Sequence, residues 1–172
     1  MAELTHKERL QPSLLDRLTD DDPTRRVEAR EKRVLSSSQL RESVRRDLTW
    51  LFNTTHLATT LRGLYDFPLV ACSVINFGIP DLAGRTASNL DLPALERLLR
   101  QAIWDFEPRL VRSSVKVRGV VDERDMSHNA VSFAIEADLW AQPLPLQLFL
   151  RTQVDLEDGR IEISDLGERK RP

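Results

Sequence analysis

Cysteine is almost missing from this chain. Cys72 is the only one among 172 residues, so no internal disulfide can form and an all-cysteine metal site is excluded. Histidine is nearly as scarce: His6, His56 and His128 are scattered, with none of the spacing that metal ligands need. No basic excess is present either. The formal net charge is -2, which argues against a general nucleic-acid binder. No apolar run is long enough to cross a membrane, so no direct membrane insertion is expected. The opening MAELTHKERLQPSLLDRL lacks the apolar stretch of a secretory signal, and the expectation is a soluble, cytoplasmic protein. Glycine-rich phosphate loops, GxSxG, HExxH and zinc-type spacings are all absent, and no cofactor is implied.

What is there is a strong helix running into a proline corner, Asp91–Val117. Leu92, Leu95, Leu98, Leu99, Ala102, Ile103 and Phe106 recur at helical spacing and form one apolar stripe. Asp91 stands where a cap belongs, and Pro93 is tolerated in a first turn because its missing N–H would be unpaired there. Pro108 disfavours the helical conformation for Glu107, so the helix should stop near Phe106. Glu107 then stands at a helix C-terminus, whose partial negative charge opposes a carboxylate. Arg109, with a planar fork suited to bidentate pairing, follows at once. From Leu110 the period changes to two: Val111, Val115 and Val117 face one way, and Arg112, Lys116 and Arg118 the other. Glu107 and Arg109 thus flank a rigid corner and are expected to be held out toward solvent. On residues alone, such a pair is more often a solvated contact of little energetic weight than a binding site.

Residues 1–35 read as an adaptable arm. Leu14, Leu15 and Leu18 offer one apolar turn before the charge-rich TRRVEAREKR, which has too little apolar surface to fold alone. A solvated tail and a docking arm whose SLLDRL turn enters a partner groove are the two readings. Ser36 and Gln39 fit a capping box, and Leu40, Val44, Leu48, Leu51 and Phe52 make a buried stripe through to Phe52. Trp50 falls off that stripe, as core-edge cover or as an interface anchor. Asn53–His56 ends the helix with residues that favour turns. Pro68 opens a short helix, Pro68–Asn76, with Gly78 as its left-handed cap; Leu69, Val70, Val74 and Ile75 are its expected core contacts and Cys72 a small buried hydrophobe.

Beyond the corner, Val121–His128 reads as an exposed loop. Val131, Phe133, Ile135, Ala137 and Leu139 then alternate as a strand, as do Leu146, Leu148, Leu150 and Thr152. Asp158–Gly159 signals a hairpin into Arg160–Ser164. Helices first, then one helix leading into antiparallel strands, predict an α+β domain: N-terminal helices and a core helix packed on a small antiparallel sheet. That domain spans 36–166, between the arm of 1–35 and a tail of 167–172.

Asp105, Glu107, Asp122 and Glu123 could be drafted as a glycosidase pair, and Trp50, Trp104 and Trp140 as a sugar platform. The sequence fixes no two carboxylates at the required separation, so no enzyme is demanded by these residues.

Several stretches, in order, resemble one family. SLLDRL (Ser13–Leu18), VRRDLTWLFNT (Val44–Thr54), SVINFGIPDL (Ser73–Leu82) and FEPRL (Phe106–Leu110) are similar to the TssE-type baseplate subunit of the bacterial type VI secretion system, related to the small wedge protein of contractile phage tails. The resemblance implies a structural, non-catalytic protein. Its expected partners are the wedge subunits TssF and TssG and the sheath subunits, with no nucleic acid among them. It maps the family's interaction motif onto Glu107, Pro108 and Arg109, and so favours a binding corner over a solvated pair. It also carries a lysozyme-like label, so a peptidoglycan-cleaving glycosidase stands as the alternative function. Thr55 and His56 stand where the family often has arginines, and Phe77 where tyrosine is common. A basic contact and a phenolic hydrogen bond therefore do not carry over.

Overall fold

Ser36 starts the first long helix as its sequence predicts. Its Oγ accepts the Gln39 N–H at 3.2 Å while Gln39 Oε1 accepts the Ser36 N–H at 2.9 Å. The computed structural model describes residues 13–19, 24, 36–61, 63–84, 86, 89–120, 130–140 and 145–166. The loop read at 121–128 and the tail at 167–172 lie outside them, as does most of the arm. Among the described residues there are four α-helices: α1 (Leu14–Leu18), α2 (Ser37–Phe52), α3 (Pro68–Ala71) and α4 (Leu92–Phe106). Four strands follow: β1 (Lys116–Val120), β2 (Ala130–Leu139), β3 (Leu146–Asp155) and β4 (Ile161–Asp165). They form one antiparallel sheet in the order β1-β2-β3-β4, which makes the fold α+β.

The sheet buries one face. Val117, Ile135 and Leu150 lie in register across it, as do Phe133, Thr152 and Ile163. α4 packs over β1 and α2 over β4, and their stripes close one contiguous core with that face. α4 contributes Leu95, Leu99, Ala102 and Ile103; α2 contributes Val44, Leu48, Leu51 and Phe52, and buries Leu40 as well. Burying such side chains is worth roughly 1.5–3 kcal/mol each before conformational entropy is counted. Asp91 caps α4 by accepting the Ala94 N–H at 3.0 Å, and Pro93 sits in its first turn.

Several expectations are corrected. The strand after the corner begins at Lys116, not Leu110. Leu110 makes a single bridge to Leu139, and Arg112–Ser114 forms a 3-10 turn. Side chains hold that turn out of the ladder: Trp104 Nε1 donates to the Arg112 carbonyl at 3.0 Å, and Ser114 Oγ accepts the Asp138 N–H at 2.8 Å. The helix at Pro68 ends at Ala71, with a separate 3-10 turn at Val74–Asn76. Ser73 Oγ donates to the Val70 carbonyl, and the buried Asn76 amide bonds Ala71 O and Ala58 N–H, which fixes a turn where a helix would run on. Leu69, Val74 and Ile75 are in consequence exposed, not core, and so is Cys72. Gly78, with φ +123°, is no helix cap; it lets the backbone pass against Thr54. Trp50 is half-exposed, with the Arg46 guanidinium over its ring at 5.0 Å.

Asn53 has a second task besides ending α2. Its Nδ2 donates to the Ile161 carbonyl at 2.8 Å and its Oδ1 accepts the Ile161 N–H at 2.9 Å, so the carboxamide stands in for a fifth strand beside β4. Arg45 adds a bond to the Ile163 carbonyl at 3.0 Å. Asn53→Ala strands both backbone groups of a buried residue and is expected to cost about 1–3 kcal/mol, read as a shift in urea midpoint at constant slope.

Candidate functional site

The corner after α4 is stitched to the sheet on both sides. The Arg109 carbonyl accepts the Trp140 N–H at 2.8 Å, and the Val111 N–H donates to the Asp138 carbonyl at 2.9 Å. Glu107 is the C-cap of α4, with φ -119° and ψ 80°. Pro108 is the exposed apex. The expectation of two charges held outward is corrected here. The Glu107 side chain is only 4% exposed, and Arg109 folds back over it with 24% exposure. Arg109 Nε donates to Glu107 Oε1 at 2.7 Å and Nη2 to Oε2 at 2.5 Å, a bidentate fork. The Arg109 N–H adds a third bond to the same carboxylate at 3.1 Å. Pro108 ends the helix, and the two-residue separation puts the guanidinium within reach of the carboxylate.

From this pair a ring of polar groups runs across to α2 and α1. Arg109 Nη2 also reaches Asp47 Oδ2 at 2.5 Å, and Nη1 donates to Ser43 Oγ at 3.0 Å. Ser43 Oγ in turn donates to Asp16 Oδ2 at 2.8 Å. Arg46 closes the circuit, with Nη1 at 2.6 Å from Asp16 Oδ1 and Nη2 at 2.7 Å from Asp47 Oδ1. The Arg109 guanidinium is held charged. Burial disfavours its charge, but the hydrogen bonds and charges of Glu107 and Asp47 outweigh that and raise its pKa.

The ring is how α1 reaches the domain. None of its own residues is buried, and Leu14, Leu15 and Leu18 face solvent. Ser13 and Asp16 form its capping box, and Asp16 alone supplies the ion pair to α2. Burial raises the Asp16 carboxyl pKa, but hydrogen bonds from Ser13, Ser43 and Arg46, with the Arg46 charge, bring it down to about 2 from 3.8. A carboxyl lowered on folding contributes docking energy that is complete above about pH 4 and lost as pH falls through about 2. A carbon-detected titration of Asp16 should show that low midpoint, with the α1 amide shifts moving in step. A midpoint near 4 refutes the docking.

Sequence reading located Glu107, Pro108 and Arg109 but not Ser43, Asp47, Arg46 or Asp16. The available signal was on α2: Ser43 and Asp47 lie four apart, beside the buried Val44 and Leu48, where a small polar pair has no apolar task.

The carboxylates drafted for glycosidase chemistry are otherwise engaged. Glu107 is tied to Arg109, and Asp105 is bonded to Gln101 Nε2 at 3.0 Å and paired with Arg112. Residues 122 and 123 lie outside the described residues. Cys72, His56 and Asp105 line one groove, yet His56 Nδ1 accepts the Thr59 N–H and Cys72 Sγ donates to the Leu69 carbonyl, so no nucleophile–base pair forms. Among the described residues no group of three His, Cys, Asp or Glu could hold a metal, and no helix is long and apolar enough to cross a membrane.

A family model described as baseplate wedge protein gp25 matches residues 38–144, more than half of the chain. That span includes α2 from its second residue, the Gly78 turn, α4, the whole Glu–Pro–Arg corner, β1 and β2, but not α1, β3 or β4. Neither a curated protein nor a solved structure matches the chain significantly.

Proposed function

The chain belongs to the baseplate wedge protein gp25 family, a structural family; from that premise we propose that it is the TssE-type subunit of a type VI secretion baseplate. In this reading it binds the wedge subunits TssF and TssG in the cytoplasm and links the baseplate to the first ring of the contractile sheath. The observation that carries the proposal is the position of the Glu–Pro–Arg corner: inside the family match, at the junction of core helix and sheet, and tied into both.

Glu107, Pro108 and Arg109 divide the work. Glu107 is the internal anchor that aims Arg109. Pro108 and the exposed flank of Arg109, with Asp47 and Arg46 beside it, present the surface a partner meets. The three exposed leucines of α1 extend that surface as a short docking turn. The open border of the sheet accepts an extended segment of a sheath subunit.

Co-purification of the full chain with TssF and TssG tests this. Wild type should form the ternary complex. Pro108→Glu changes no side chain of the ring and should weaken the complex by roughly tenfold or more, with an unchanged urea midpoint showing that the fold-back survives. Undiminished assembly by Pro108→Glu would remove the corner from the interface. No complex with wild type would remove the wedge assignment.

A further inference from the structure

The two borders of the sheet differ. On β4, Arg160 and Leu166 bond back to β3, so by the period of two Ile161, Ile163 and Asp165 point their backbone groups outward. α2 covers that border: Asn53 takes both groups of Ile161 and Arg45 takes the carbonyl of Ile163. On β1 the Gly119 N–H points outward, because it donates to Glu96 Oε1 at 2.6 Å and not to β2. The same period turns the Val117 N–H and carbonyl and the Gly119 carbonyl outward. Among the described residues, no strand or side chain bonds these three groups.

We propose that β1 is the border that recruits a partner strand, and that the strand it selects alternates apolar and acidic residues. This rests on the reading of the protein as a strand-accepting baseplate subunit and goes beyond it in naming the border and the chemistry. Two observations set that chemistry. On the inner face Val115 and Val117 are buried beside α4, which calls for apolar side chains in the neighbouring strand. On the outer face Lys116 and Arg118 are both exposed. Lys116 stands opposite Glu136 of β2, whereas Arg118 stands opposite Ala134, so Arg118 carries more of the selection. Glu96 holds the place of the incoming carbonyl: its oxygen occupies the Gly119 N–H until a strand arrives. β1 is also continuous with the Glu–Pro–Arg corner along one margin of the sheet, so wedge contact and strand capture share a side of the molecule.

The test uses the full chain and two synthetic peptides, one alternating valine with glutamate and one valine with lysine. Amide NMR titration should show the acidic peptide shifting and protecting Val117 and Gly119, and binding about three- to tenfold tighter than the basic one. The double charge reversal Lys116→Glu with Arg118→Glu, on exposed positions outside the core, should invert the preference. Equal affinity for the two peptides, or protection at Ile163 in place of Val117, overturns the proposal. Failure here alongside normal co-purification with TssF and TssG would refute the border assignment and leave the wedge reading standing. Failed co-purification alongside acidic-peptide binding would do the reverse.

Discussion

Replacing Arg109 by alanine is expected to destabilise the isolated protein by about 3 kcal/mol, the low end for breaking a buried ion pair because part of the guanidinium is wet. The reason is what stays behind. Glu107 is 4% exposed and loses both guanidinium hydrogen bonds at once, keeping only the one from the backbone N–H of residue 109, so its carboxylate is left enclosed without a counter-charge. Asp47 and Ser43 lose their shared donor as well. The sequence alone suggests a milder result, an intact fold with weakened assembly, because it places the pair in solvent. The discriminating measurement is a double substitution. Glu107→Ala added to Arg109→Ala removes the stranded charge and should recover part of the loss, whereas two independent surface residues would give additive effects. Urea denaturation of the four proteins settles it, and strict additivity would mean the corner is not the enclosed pair described. An assembly defect in Arg109→Ala must accordingly be read beside its stability.

The other large effect is expected at Gly78. A Cβ there would lie 2.2 Å from the Thr54 carbonyl oxygen and 2.8 Å from its carbon, both backbone, on a residue with φ +123°. Neither atom belongs to a side chain that can swing away. The contact is close because the chain is sewn there: Ile79 N–H donates to Thr54 O at 2.9 Å and His56 N–H to Ile79 O at 3.0 Å. Gly78→Ala must part that seam between the end of α2 and the segment leading to Leu82. Steric overlap and backbone strain together should cost roughly 2–4 kcal/mol. Gly84→Ala is the fitting control, since it too has a positive φ but open space around it. Equal losses in both would assign the effect to backbone conformation alone.

The elements with strong periodicity were legible in the sequence. The stripes of α2 and α4, their caps at Ser36 and Asp91, and the alternation in β2 and β3 are local patterns, and the structure keeps them. The stretch around Pro68–Ile75 was misread because four apolar residues in a row suit a buried helix as well as an exposed knob, and only Ser73 and Asn76 decide between them. The corner was found, but its direction was not. Whether Arg109 reaches outward or back depends on Asp47, which lies 62 positions earlier in the chain. No spacing rule announces a partner that distant. The family match spans both the legible helices and the misread stretch, and the ring reaches beyond it through Asp16.

The ring has one wet end. Glu107 is sealed, Asp16 is 14% exposed, Arg109 and Asp47 are each 24% exposed, and Arg46, whose guanidinium pairs with Asp16, is 35% exposed. Dissolved salt screens exposed charges over about 8 Å at physiological ionic strength and about 3 Å in molar salt, but reaches enclosed ones far less. Concentrated brine should therefore unfasten the ring from its outer end. The N-terminal turn would detach first, while the fork at the corner stays shut, so the saltiness of the buffer sets whether its leucines are held beside the corner or let go.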